Sequence, residues 1–473
     1  MIKKFLKNWD KFLLFLMLAI YVVVMSFLSI RKYQSFADSY DLANADQTVW
    51  TSGHDYPFSL TGVKGRVSRL QFHADFILAL LAPFYWLWND VRMLLILQSL
   101  SLALAGVVLF YLARDILKNK LVALILSASY WLNPGLLWTN IYDVHGVSFA
   151  PFLLLLLFWL VYKMKWKLVW PIFILSIFCK ENVALFTAML GLGMLFSPKR
   201  RKIGVIMFLV SSVYFYVASF VWIPHFSDNG QHWVMGWYSD AKRKLFEIKS
   251  ATSLWFFVKG YFFNFDSFKY YRKLLEPFAF LPLLSVWPLF LVAPELAIIS
   301  LSSQGQMKSI VMHYDSLMVV GMVIANIWTV KYISWLFKKI KIVPILVSLL
   351  ILVASLRSNY FYSPLPTTPG HWRLMYRLRQ VEKDFDKVLK QIPTEDIITA
   401  SSEVRNHLTH RVNAFNLPHG IEEADWIAMT KKNHLVGDYE KKPFETDLIK
   451  KLDADDNYQL VFHQGDYFLY KRK

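Results

Sequence analysis

The sequence predicts a polytopic α-helical membrane protein that carries a small soluble α/β domain at its C-terminal end. Apolar residues make up 56% of the chain and aromatics 17%. They gather into uncharged runs of roughly 15–22 residues, the length that crosses a bilayer as a helix. The Lys and Arg residues behind the formal charge of +18 fall into short clusters between those runs, the pattern of positive charge kept on the cytosolic side. On a soluble protein such a charge would suggest nucleic acid; in this distribution it points to membrane lipids, and no nucleic-acid partner is expected. After Pro364-Leu365-Pro366-Thr367-Thr368-Pro369, charged residues become frequent and apolar runs shorten. That shift divides the chain into a multi-span part, residues 1–363, and a soluble part, residues 364–473. Cys179 is the single cysteine, so no intramolecular disulfide can form.

The first apolar run, 12–30, follows Lys3, Lys4, Lys7 and Lys11. It is long, and no small-residue cleavage site follows it, so a retained span with a cytosolic N-terminus is expected. Four later basic clusters serve as cytosolic markers: Arg114 with Lys118 and Lys120, Lys163 with Lys165 and Lys167, 199–202, and Lys331 with Lys338, Lys339 and Lys341. Between them, crossings are expected at 91–113, 121–138, 148–162, 168–178, 183–196 and 203–223, with two more at 314–330 and 342–356. Segment 76–88 is apolar too, but counting it as a span turns every later cluster outward. It is read as an interfacial or re-entrant helix, its Phe84-Tyr85-Trp86 and Trp88 suiting the headgroup region. A long first outer loop, 31–90, results. Residues 224–276 read as amphipathic surface helices, and 278–300, interrupted by Pro282, Pro288 and Pro294, as a broken helix. In the extracytoplasmic domain, strands are expected at 396–400 and 411–417 around a helix at 403–410, with a hairpin of 458–462 and 467–470 turning at Gly465-Asp466. No G-x-G-x-x-G or Walker motif occurs, so neither a nucleotide nor an organic cofactor is expected.

Ionisable residues at membrane depth are costly and usually face a cavity. Here they form islands: Asp41 and Asp46, His73 and Asp75, Asp143 and His145, Lys180-Glu181-Asn182, and His313-Tyr314-Asp315. The crossing arithmetic places the islands on the non-cytosolic side. Each has a plain structural reading beside the chemical one. An Asp-x-His can be a satisfied polar turn or a pair of ligands for a divalent cation; Lys180-Glu181 can be an internal ion pair or a phosphate contact. Asp41 and Asp46, five residues apart, would be displaced around a helix axis, so one of them is expected to face a reactive centre. Arg31, Lys32, Lys64, Arg66 and Arg69 place positive charge in the outer loop, where a solvated face or attraction of an anionic headgroup explains them. A transfer reaction at this face needs a carboxylate to deprotonate an acceptor hydroxyl, and positive charge or a metal ion at a departing phosphate.

Tyr40-Asp41-Leu42-Ala43-Asn44-Ala45-Asp46-Gln47-Thr48-Val49-Trp50 resembles the Y-D-L-G-x-x-D-Q-x-x-W signature of the bacterial membrane proteins called domain of unknown function 2079. Similar motifs continue at Phe72-His73, Asn133-Pro134-Gly135, 140–145, Cys179-Lys180-Glu181-Asn182, His313-Tyr314 and 403–418. Ala43 stands where glycine is usual, Asn182 where aspartate is frequent, and Gly146 where proline is common. That family is placed in the GT-C glycosyltransferase superfamily, and the resemblance implies a GT-C-like fold in the cytoplasmic membrane. It further implies a polyprenyl-phosphate-linked sugar donor and a glycan, lipid or protein acceptor. By motif, Asp41 is implied as the catalytic carboxylate, acting as a base, with Asp46 as its rival, and Asp143 with His145 as the second acidic motif, which would bind Mg or Mn or position the acceptor. His73, Lys180, Glu181, His313, Tyr314 and Arg69 are implied in substrate binding. A transporter or flippase of lipid-linked sugars, and a non-catalytic scaffold presenting the soluble domain, are the alternatives.

Overall fold

The computed structural model describes residues 2–62, 65–431 and 442–473. Most of the chain is helical, and among the described residues five helices are long and apolar enough to cross a membrane: Asn8–Gln34, Arg92–Leu117, Arg201–Phe226, Ser316–Leu336 and Val343–Tyr362. A sixth arises if Lys120–Trp131 and Pro134–Ile141 are taken as one span bent by 50°. The bend lies where Asn133 caps a new helix through Leu136 N and Pro134 occupies its first turn. Proline has no N–H to continue the preceding ladder.

Other apolar runs fall short of the expected crossings. Trp166–Ile177 and Val183–Met194 are 12 residues each, about 18 Å at 1.5 Å per residue, against the ~30 Å of a hydrocarbon core. Val183–Met194 packs backbone to backbone against Arg201–Val217, since a Cβ on Gly191 would lie 2.7 Å from Gly204 O. Segment 76–88 forms two four-residue helices, Ile77–Leu80 and Ala82–Tyr85, with Trp86 and Leu87 exposed beyond them. Residues 224–276 hold a 3-10 turn, Trp233–Tyr238, and three surface helices, Ser239–Phe246, Ala251–Phe262 and Phe265–Leu275. The proline-rich segment is broken into Leu281–Leu284, Val286–Leu289, Phe290–Val292 and Ala293–Leu301.

The first loop contributes a small ladder, β1 (Ser59–Leu60) with β2 (Val67–Ser68). The C-terminal sheet contains β3 (Ile398–Ala400), β4 (Ala414–Asn416), β5 (Trp426–Thr430), β6 (Tyr458–Gln464) and β7 (Tyr467–Arg472), in the order β4-β3-β5-β7-β6. β3 is parallel to β4 and β5, while β7 is antiparallel to β5 and β6. The period of two divides the sheet's side chains between its faces. Ala428, Tyr467 and Leu469 meet Phe385 and Leu389 of helix Gln380–Leu389 on one face. Ile427, Met429, Phe468 and Tyr470 meet Leu448 and Leu452 of helix Pro443–Asp453 on the other. The expected helix at 403–410 is reduced to Ser402–Arg405, and β5 and both covering helices were not anticipated.

The two parts of the chain interlock. Phe36, just after the first helix, is fully buried in the C-terminal domain, stacked on His407 at 3.9 Å and tilted against Phe385 at 5.6 Å and Tyr467 at 5.3 Å. The Arg405 guanidinium donates to Asn44 Oδ1 and Gln47 Oε1, each at 2.8 Å, and thereby grips the helix that carries Asp41.

Candidate active site

Helix Tyr40–Ser52 begins at Ser39, whose hydroxyl accepts from Asp41 N. This cap fixes Asp41 in the first turn, where a carboxylate meets the positive end of the helix. The Ser39 hydroxyl also donates to Asp143 Oδ2, and Ser39 N donates to Asp143 Oδ1 at 3.2 Å. Asp143 arrives from the other direction. Helix Pro134–Ile141 ends at Tyr142, Asp143 takes a left-handed φ of 51°, and a 3-10 turn, Gly146–Phe149, follows. Gln98 Nε2, buried inside helix Arg92–Leu117, donates to Asp143 O at 2.8 Å and Asn140 O at 2.9 Å and so pins this loop.

Lys32 sits in the last turn of the first span, its side chain 3% exposed, and its ammonium bridges Asp38 at 2.5 Å and Asp143 at 3.0 Å. A third contact, Ile141 O at 3.0 Å, completes its donors. Asp143 is therefore a neutralised anchor that ties the loop after helix Pro134–Ile141 to the end of the first span and the start of helix Tyr40–Ser52. Both of its oxygens are engaged, and it does not offer itself with His145 as a pair of ligands. Among the described residues no group of three or more His, Cys, Asp or Glu side chains is arranged to hold a metal ion. The donors expected for Mg or Mn at Asp143 and His145 thus do not fit that role as they stand.

His145 turns instead towards Asp41, with Nε2 at 4.0 Å from Oδ2. Its ring stacks on His313 with centroids 3.7 Å apart, and Tyr142 stacks beside both rings. Burial, followed by the positive charges of Lys180 and Arg69, pushes His145 well below the usual imidazole range. Burial and the neighbouring His145 do the same to His313. Both rings are neutral at neutral pH, and among the described residues His145 Nε2 and His313 Nδ1 have no hydrogen-bond partner in their buried positions. Asp41 is half-buried. Burial, then the charge of Asp143, raises its carboxyl to about 7, against the opposing pull of Arg69, Lys180 and Lys32. Tyr314, half-buried on the opposite rim, is close enough for the Asp41 charge to help push its hydroxyl to about 12, after burial.

The second half of the recess is basic. Arg69 holds Asp75 through Nη2 at 2.7 Å and Nε at 3.2 Å. Glu181 accepts from Ala74 N at 3.1 Å and pairs with His73 at 3.0 Å, while His232 stands at 3.9 Å. Burial alone would raise the Glu181 carboxyl; His73, then Lys180 and His232, hold it well below the usual range. Gly146 allows these segments to close, because a Cβ there would lie 2.4 Å from Cys179 O and 2.8 Å from Asp75 Cβ. Lys180 is half-buried, and its charge acts on Asp41, His73, His145 and His313. Among the described residues no carboxylate lies within ion-pair distance of its ammonium. It is the uncommitted cation of the recess.

Asp46 is elsewhere. Five residues correspond to about 140° around a helix, and Asp46 faces the C-terminal domain, fully buried, accepting from Tyr85 and Thr409 with His410 Nε2 at 3.2 Å. The rival to Asp41 is thus a domain-docking residue. Lys64 lies outside the described residues. Sequence reasoning missed Ser39, Asp38, Gln98 and His232. A signal existed for Gln98, an amide inside an otherwise apolar run; none existed for His232, which closes the polar stretch Ser227-Asp228-Asn229-Gly230-Gln231 and reads as part of a loop.

The sequence profile of a family described as predicted membrane protein (DUF2079) matches residues 31–469. The chain belongs to this family. No curated protein matches it. The part of this DUF2079 member that matches takes in every residue of the recess, from Lys32 to His313, and the domain that grips helix Tyr40–Ser52.

Proposed function

We propose that this DUF2079 member is a GT-C-type glycosyltransferase of the cytoplasmic membrane. It would move a sugar from a polyprenyl-phosphate donor to a glycan, lipid or protein acceptor at the outer face. The observation that carries the reading is Asp41, raised to about 7 and held 4.0 Å from a neutral imidazole, within reach of the charge of Lys180, which forms no ion pair among the described residues. A base works best when its pKa lies near the operating pH. In the proposed step the ionised Asp41 carboxylate takes the proton of an acceptor hydroxyl. The acceptor oxygen bonds to the sugar's anomeric carbon while the bond from that carbon to the phosphate oxygen breaks. The polyprenyl phosphate leaves with the bonding electrons, and Lys180 meets its negative charge. His145 orients Asp41 or the acceptor hydroxyl through Nε2. No step is assigned to a divalent metal.

The position of the groups favours transfer over transport. Lys32 ends its span, Lys180 follows Trp166–Ile177, and His313 precedes Ser316–Leu336. They gather at one end of the bundle rather than along a path through it, which a transporter would need. The C-terminal domain docks at this same end, through Asn406 to Asp38 O at 3.2 Å, which supports an extracytoplasmic placement for it. The test is incubation of the purified chain with a panel of polyprenyl-phosphate sugars. Glycosylated product should form with wild type and be lost in a folded D41N variant; equal product from D41N contradicts the assignment.

A further inference from the structure

A second polar cavity, of about 410 Å³, lies between helix Phe265–Leu275 and the loop after Ala293–Leu301. Lys269 and Lys273 enter it from the helix and Lys308 from the loop, against a single lining carboxylate, Asp266. Lys269 and Lys273 are one turn apart, so their ammoniums share a face, an arrangement that repels unless an anion lies between them. Burial, then Lys269 and Arg272, pushes Lys273 below its ordinary value, and burial does the same to Lys308. Among the described residues none of the three forms an ion pair. The hydroxyls of Ser302, Ser303 and Ser309 complete the lining with donors that suit an oxyanion.

We propose that this cavity binds a phosphate group, carried by the headgroup of a membrane lipid. The aromatic residues beside it argue for the lipid source. Phe265 is 81% exposed and Phe268 55% exposed on the same helix, and lysines interleaved with bare aromatics are the composition of a helix lying in the headgroup layer. The cavity is separate from the Asp41 recess but tied to it. Ser303 N donates to Trp237 O at 2.8 Å. Trp237 is near the end of the 3-10 turn Trp233–Tyr238, and His232, just before that turn, faces Glu181. At 2.0 Å per residue that turn spans about 10 Å. A lipid held here by its phosphate sits next to the recess without occupying it, and the proposal stands whether or not sugar transfer takes place there.

The test is calorimetric titration of the full chain, in uncharged detergent, with inorganic phosphate and separately with a short-chain phosphatidate. A K269Q/K273Q/K308Q variant is compared with a K242Q/K244Q control, and the melting temperature of each is recorded to establish folding. Saturable binding that weakens about tenfold or more in the folded triple variant, and weakens with added salt as a surface ion contact does, supports the site. Tighter binding of phosphatidate assigns the phosphate to a lipid headgroup; binding of inorganic phosphate alone assigns it to a soluble source. Failure of wild type to bind either probe overturns the proposal. Equal binding by wild type and triple variant does the same.

Discussion

At the scale of single residues, the recess depends on one neutralised acid and one raised acid. Asp143 is held by Lys32 and Ser39, so its charge is anchored; Asp41 has no such partner and keeps its proton to about 7. An unstructured aspartate loses its proton at about 4. Between those values the folded state binds more protons than the unfolded one, so the stability linked to Asp41 falls as pH rises through the window. D41N should therefore melt at the same or a higher temperature than wild type at about pH 8, while transfer falls by about a hundredfold or more, the usual worth of a general base. A lower melting temperature would mean that Asp41 is structural. K32M leaves Asp38 and Asp143 buried without their cation, which typically costs about 3–5 kcal/mol. Denaturant unfolding in detergent should register that loss, and a neutral result would show that Lys32 does not hold the two acids. G146A pushes a methyl into Cys179 O and Asp75 and should cost about 1–3 kcal/mol by overpacking. Thermal unfolding together with loss of transfer checks it; a fully active G146A contradicts the close approach.

At the scale of elements, composition and length carried different information. The apolar run 91–113 became helix Arg92–Leu117, and 203–223 became Arg201–Phe226, because such runs must satisfy their backbone as helices in lipid. Runs 168–178 and 183–196 have the same composition, but their helices are 12 residues long. A polar island at one end of each stops the helix, and apolarity alone does not reveal that. In the soluble domain the hairpin at Gly465 was legible because a left-handed turn needs a residue such as glycine, here with φ of 61°. Strand Trp426–Thr430 was not legible: it is central, nearly all buried, and lacks alternation. The partner of Asp143 was hidden for another reason. Lys32 lies 111 positions away, and local spacing says nothing about a meeting across that distance, so the sequence left Asp143-x-His145 open between a polar turn and a ligand pair.

At the scale of the whole molecule, the apolar helices and the C-terminal sheet are joined mechanically. The C-terminal domain closes over Phe36 and grips helix Tyr40–Ser52 through Arg405, which donates to Asn44 and Gln47, and through Thr409, which donates to Asp46. A domain that merely trailed from the membrane would not need a buried guanidinium at the joint. Its position makes it part of what holds Asp41 in place. F36A should cost about 3–5 kcal/mol, as expected for deleting a buried ring. It should also speed proteolytic cleavage near residues 364–369 in detergent; unchanged cleavage would show that the domain is held by other means. Everything at the site rests on Asp41 sharing one recess with Asp143 and Lys180. An infrared pH titration of the Asp41 carboxyl, identified as the band that D41N removes, tests this most directly. Titration near 7 in wild type, moving upward in K180M, is the predicted result; a carboxyl that titrates near 4 and ignores K180M would contradict it.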